Sequence, residues 1–106
     1  MQIDELTKFT MLFDEYGKLL SDKQYSVMDK FLNLDISESE MAELENGSRQ
    51  SIHDAITKAK KQLLDFESKC GFVKQKTSLL SQLKIVCEST SDEKTKKELE
   101  KIITKF

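Results

Sequence analysis

Ser37-Glu38-Ser39-Glu40-Met41-Ala42-Glu43-Leu44-Glu45, then Asn46-Gly47, then Ser48-Arg49-Gln50-Ser51-Ile52-His53-Asp54-Ala55-Ile56 reads as a short helix, a tight turn and the start of a longer basic helix that runs on past Lys61. This is the pattern of a helix-turn-helix. Two helices crossing at about 90–120° need a small residue at the crossing, a turn that tolerates left-handed backbone and an apolar plug from the second helix. Ala42, Asn46-Gly47 and Ile52 fill those roles. Ser37 and Glu40 have capping-box spacing, in which hydroxyl and carboxylate reciprocally satisfy free backbone N–H groups at the helix start. Ser48 is placed to cap the second helix.

Helical spacing continues on both sides of this stretch. Ile3, Leu6, Phe9, Phe13, Tyr16 and Leu20 recur every three or four residues and predict a first helix ending near Gly17 to Leu20. Ser21 and Gln24 form another capping-box pair, opening a second helix with Tyr25, Met28, Phe31 and Leu32 that stops near Asn33 to Asp35. Ile52, Ala55, Ile56, Ala59, Leu63 and Phe66 form one stripe, so the helix after the turn runs to about Lys69. Cys70-Gly71 reads as a break. Phe72, Leu79, Leu80, Leu83, Val86 and Cys87 mark a fifth helix, and Thr90 with Glu93 predicts a capping box for a last one bearing Leu99, Ile102, Ile103 and Phe106.

Proline is absent and glycine occurs only three times, and these are the residues that most penalise a helix interior. The expected fold is all-α: a helical bundle around the helix-turn-helix, with a C-terminal two-helix extension. At 106 residues one domain is expected over 1–106, its core about 6–70 and its extension about 72–106. Nothing nears the eighteen or so apolar residues of a membrane span, and no basic region precedes an apolar run at the N-terminus. No membrane insertion is expected, and the cytoplasm is the expected location. Cys70 and Cys87 suit a reducing compartment and read as core thiols.

Charge separates the two halves. Residues 1–47 carry 4 Lys and 11 acids, net −7, while residues 48–106 carry 13 Lys or Arg and 8 acids, net +5. A basic half starting at the second helix of the motif suits phosphate, because bound Lys and Arg release condensed counterions. The pI of 5.5 argues the other way, since DNA-binding domains usually carry a strongly basic face. Glu38, Glu40, Glu43 and Glu45 crowd the helix that would cross a DNA backbone. The plain reading of those acids is a solvated face whose first turn offsets the helix dipole.

If the second helix enters a major groove, its first turns present Arg49, Gln50 and His53 to base edges, with Ile52 and Ile56 turned inward. Arg pairs with guanine and Gln with adenine through two hydrogen bonds each. Ser48, Ser51, Thr57 and Lys58 are then backbone contacts, and Lys60 and Lys61 reach flanking phosphates. Asp54 sits awkwardly near phosphate and is spaced to hold Lys58 at i+4. His53 is the only histidine, and no ligand set of three or four groups gathers round it in the sequence. With no Gly-rich phosphate loop and no nucleophile paired to a base, neither a cofactor nor an enzymatic activity is expected.

Several blocks resemble the YlxM-type family of small bacterial helix-turn-helix proteins, themselves similar to region four of sigma factors. Leu12-Phe13-Asp14-Glu15-Tyr16-Gly17-Lys18-Leu19-Leu20-Ser21-Asp22-Lys23-Gln24 looks like the family's opening helix and the start of its second. Asp35-Ile36-Ser37 with Glu40-Met41-Ala42-Glu43, Ser48-Arg49-Gln50 with Ile52, Asp54 and Ile56, and the trailing Leu63, Asp65, Glu67 and Lys69 continue the likeness over roughly residues 6 to 70. The resemblance implies a nucleic-acid-binding fold serving or regulating the signal recognition particle pathway, and it favours a dimer. The turn departs from the family pattern: Gly47 stands where an apolar residue is usual and Glu45 where a bulky apolar one is expected. Leu44 is the neighbour placed to take over that packing.

Two functions follow. In the first the protein binds double-stranded DNA, weakly or conditionally, through Ser48, Arg49, Gln50, Ser51, His53, Thr57, Lys58, Lys60 and Lys61, with signal recognition particle RNA or protein as a further partner. In the second the same fold is a helical adaptor that docks a protein or RNA component of that pathway and has lost DNA. The stripes after Gly71 either fold back within the chain or build a homodimer through the C-terminal helices.

Overall fold

The structure, a computed structural model, describes residues 3–105 and leaves aside the side chain of Ile3, so of the two stripe ends the Ile3 side chain and all of Phe106 lie outside the description. Among the described residues there are six α-helices and no strand: α1 (Ile3–Tyr16), α2 (Asp22–Leu32), α3 (Glu38–Leu44), α4 (Arg49–Cys70), α5 (Phe72–Ser89) and α6 (Glu93–Ile103), with a 3-10 turn at Gly17–Leu19. The fold is all-α, as expected. The chain forms two compact units, Met1–Cys70 and Gly71–Phe106.

In the first unit α4 is the spine, packing against α1, α2 and α3. Ile52, Ile56, Ala59 and Leu63, spaced four, three and four apart, are its buried face. They meet Phe9, Leu12, Phe13 and Tyr16 of α1, Val27 and Met28 of α2, and Met41 and Ala42 of α3, all buried. Each large apolar side chain so enclosed contributes about 1.5–3 kcal/mol. The Tyr16 hydroxyl donates to Glu67 of α4, tying the end of α1 to the spine. Gly17 lies under the Phe13 ring, where a Cβ would come within 3.0 Å of two ring carbons.

The ends of the helices explain why the chain turns where it does. Ser21 and Gln24 make the full reciprocal box, each bond 3.2 Å. Only half of the Ser37 box forms. The Ser37 hydroxyl accepts from the Glu40 N–H, but the Glu40 carboxylate accepts from that same hydroxyl rather than from the Ser37 N–H. Ser48 caps α4 through the Ser51 N–H at 3.1 Å.

The turn of the helix-turn-helix places its left-handed residue at Asn46, φ 52°, and not at Gly47. The Gly47 N–H reaches the Ala42 carbonyl at 2.9 Å and the Asn46 N–H the Glu43 carbonyl at 3.4 Å, which is a Schellman ending with asparagine in the position glycine usually takes. A Cβ on Gly47 would meet nothing within 4 Å. Leu44 does not replace the missing apolar residue, because it is 67% exposed. Glu45 instead reaches back to Lys30 of α2 at 3.1 Å, an ion pair between α2 and the end of α3.

In the second unit, Gly71 opens α5 at φ 68°, a left-handed backbone that glycine adopts without strain. Helices α5 and α6 pack on each other, with Cys87 buried and Leu80, Leu83, Leu99 and Ile103 half-buried. Asp92, not Thr90, caps α6: its carboxylate accepts from the Lys94 N–H and the Thr95 hydroxyl, while Thr90 Oγ1 accepts from the Asp92 N–H. Leu79, Ile85, Val86 and Ile102 are exposed. No helix among the described residues is long and apolar enough to cross a membrane.

Candidate nucleic-acid interface

The surface of α4 follows from its buried face. With Ile52 and Ile56 turned in, the residues at Ser48, Arg49, Gln50, Ser51, His53, Thr57, Lys58 and Lys61 are exposed. Lys60 departs from the expected outward lysine run. It lies eleven residues after Arg49, close to three full turns, and so returns to Arg49's side of the helix where α1 and α2 flank it. Its ammonium sits 5.1 Å from the centre of the Phe9 ring and 5.5 Å from that of Phe31. Cation–π attraction and burial of its stem hold this lysine against the core.

Ser48, Gln50, Ser51, Asp54 and Lys58 form one wall of an open groove whose other wall is Ser21, Lys23 and Gln24 at the start of α2. The α2 residues were not singled out as a site by the sequence. The Ser21–Gln24 box fixes where α2 begins, but only the packing of α2 on α4 brings that end beside the motif. Within the groove Gln50 Nε2 donates to Asp54 Oδ1 at 2.9 Å. Asp54 is therefore held by Gln50 and not by Lys58.

On the neighbouring side of α4, Glu38 from the first turn of α3 reaches across the crossing. Its carboxylate oxygens lie 3.1 and 3.3 Å from His53 Nδ1, and Oε2 lies 3.9 Å from Arg49 Nε. Glu38, Arg49, Gln50 and His53 line a shallow open pocket. The three base-reading candidates thus each already face a carboxylate. Glu38 and His53 are fifteen residues apart on different helices, so no local spacing rule could have paired them.

Charge by unit sharpens the picture. Residues 1–70 carry 9 Lys or Arg and 14 acids, net −5, whereas residues 71–106 carry 8 Lys and 5 acids, net +3. The helix-turn-helix belongs to the acidic unit.

A bundle with this crossing, this turn and a capped long second helix defines an all-α helix-turn-helix protein. A family model described as "Putative helix-turn-helix protein, YlxM / p13 like" (UPF0122) matches residues 3–103. The chain belongs to that family. It is 36% identical over 90 residues to a UPF0122 protein of Clostridium novyi, covering 85% of this chain and 78% of the relative. A UPF0122 protein of Clostridium botulinum is 42% identical over 69% of this chain and 67% of its own length. One from Malacoplasma penetrans is 44% identical, over 65% of this chain and 64% of its own. The likeness read from the motifs of residues 6 to 70 thus extends through the C-terminal helices in the family match.

Proposed function

We propose that this protein is a cytoplasmic helix-turn-helix protein that binds double-stranded DNA weakly or conditionally through the N-terminal half of α4. The observation that carries the reading is the groove in which Ser48, Gln50, Ser51 and Lys58 at the start of α4 face Ser21, Lys23 and Gln24 at the start of α2. Hydroxyls, amides and two lysines converge there on the solvent side of the motif, the mixture that positions phosphate backbones and reads base edges. Arg49, Gln50 and His53 take the base-reading role, Ser48, Ser51, Thr57, Lys58 and Lys61 the backbone role. Lys60, set over Phe9 and Phe31, supports the helix and leaves phosphate contact to Lys58 and Lys61. By the resemblance noted above, the binding serves the signal recognition particle pathway.

Fluorescence anisotropy of labelled random duplex DNA at several salt concentrations tests it. Each phosphate contact contributes a slope of about −0.9 in log affinity against log salt, so a slope equal to several contacts is expected. Absence of binding at low salt would remove the reading.

A second reading keeps the fold and makes the protein an adaptor for a protein or RNA of the targeting machinery. The contacts of Glu38 with His53 and Arg49, and the net −5 of residues 1–70, favour it. Binding of signal recognition particle RNA without duplex DNA in the same titration is its signature. In both readings the two units act as one functional domain over 1–106, with residues 72–106 forming a homodimer through Leu79, Val86 and Ile102. Leu79→Glu should then lower the mass seen by light scattering, and an unchanged mass would remove the dimer.

A further inference from the structure

We propose that Glu38 is a built-in competitor for nucleic acid, an intramolecular carboxylate that occupies Arg49 and His53 until a phosphate displaces it. The proposal deepens the reading of α4 as a nucleic-acid surface and rests on it. A carboxylate and a phosphate offer the same N–H donors the same kind of charged oxygen acceptor, so the two exclude one another at a shared donor. Glu38 is well placed for this. It stands in the first turn of α3, its side chain only 23% exposed, while the Arg49 and His53 side chains that it contacts are 74% and 56% exposed. An incoming phosphate therefore meets the Arg49 guanidinium and the His53 ring at groups that a carboxylate already contacts.

Magnitude decides between a lock and a brake. Solvent-exposed ion pairs are weak, and the Arg49 contact at 3.9 Å is at the loose end. Glu38 cannot abolish binding; it lowers affinity and makes it depend on what else competes for Arg49 and His53. This is a physical basis for conditional binding. It also gives a role to one of the three α3 glutamates whose crowding at the motif otherwise reads as solvated surface.

The test compares the full-length protein with Glu38→Gln and with Glu43→Gln, an exposed position on the same helix that removes the same charge. Anisotropy of a random-sequence duplex should show Glu38→Gln binding roughly two- to five-fold more tightly, the upper part of the range set by the strength of exposed pairs. Its salt slope should be steeper by about 0.9, one added phosphate contact at Arg49. Glu43→Gln should gain less than twofold. Equal gains in the two variants would overturn the proposal, because net charge would then account for both. Titration with inorganic phosphate, followed by NMR at the Arg49 side-chain N–H and the His53 ring, separates this inference from the duplex reading. If no variant binds duplex but phosphate moves those two signals at lower concentration in Glu38→Gln alone, the competitor stands and the duplex reading falls. Identical phosphate responses in all three proteins would remove the competitor.

Discussion

The two units are built from the same helical periodicity and end in very different states. Among the described residues, thirteen apolar side chains are buried in Met1–Cys70 and one, Cys87, in Gly71–Phe106. The difference lies in the number of partners. Helix α4 is enclosed by three helices, so a stripe such as Ile52, Ile56, Ala59 and Leu63 is covered on every side, whereas α5 has α6 as its packed neighbour. A pair of helices can shelter only the line along which they touch, which leaves Leu79, Ile85, Val86 and Ile102 exposed in the single chain. Periodicity announces that a face is apolar; the topology decides whether it becomes core.

The sharpest way to break this contrast is to cut a side chain from each region. Leu63→Ala, at a position with no exposure, should cost about 2–5 kcal/mol in urea denaturation through lost transfer energy and a cavity. Leu79→Ala, nearly half exposed, should cost under about 0.5 kcal/mol in an isolated chain. A large penalty at Leu79 would mean that its face is covered after all, which is the outcome a dimer through α5 and α6 requires. Overpacking probes the helix crossing: Ala42→Leu, where the native side chain is 8% exposed, should cost about 1–3 kcal/mol by forcing α3 away from α4. No loss of stability there would show that the crossing is loose.

Smaller effects belong to the caps. Ser21→Ala removes a complete box and should cost about 1 kcal/mol of stability in the first unit. Ser37→Ala removes half of one and should cost less; a larger cost than at Ser21 would contradict the cap geometry. The smallest effect is at Asp92. The Thr95 hydroxyl and then the Lys94 N–H hold its carboxyl below the usual carboxylate range. A depressed folded-state pKa means the cap's contribution is present above the ordinary carboxylate value and is lost as pH falls through the lowered one. Helicity of α6 should therefore decline slightly at acid pH by circular dichroism, and Asp92→Asn, which caps without a charge, should flatten that decline.

How far the sequence carried the reading depended on whether the determinant was local. Helix order, the Ser21 and Ser48 caps, the break at Gly71 and the inward face of α4 were all legible because each rests on residues within a turn or two of one another. Leu12 and Val27, both buried, lay off the single stripes counted for α1 and α2, since a helix between two partners buries a wider arc than one stripe. At the start of α6 two overlapping cap signals compete, Thr90 with Glu93 and Asp92 with Thr95, and the carboxylate, with two strong acceptor oxygens, prevails. The turn is legible as Asn46-Gly47, but which of the two takes the left-handed backbone is not, because asparagine and glycine both tolerate it. The exposed residues of α4 were legible from period alone. The Lys60 contacts, the Glu38 reach to His53 and the α2 wall of the groove were not, because each joins residues that only the helix packing brings together.

The most direct test is an amide NMR titration of the full-length protein with duplex DNA at low salt, reading both regions at once. The account predicts shifts concentrated at Gln50, Ser51, His53, Thr57 and Lys58 with a second set at Lys23 and Gln24, and little change across α5 and α6. Shifts confined to residues 71–105, with the α4 residues unmoved, would contradict it and transfer the binding surface to the basic C-terminal unit.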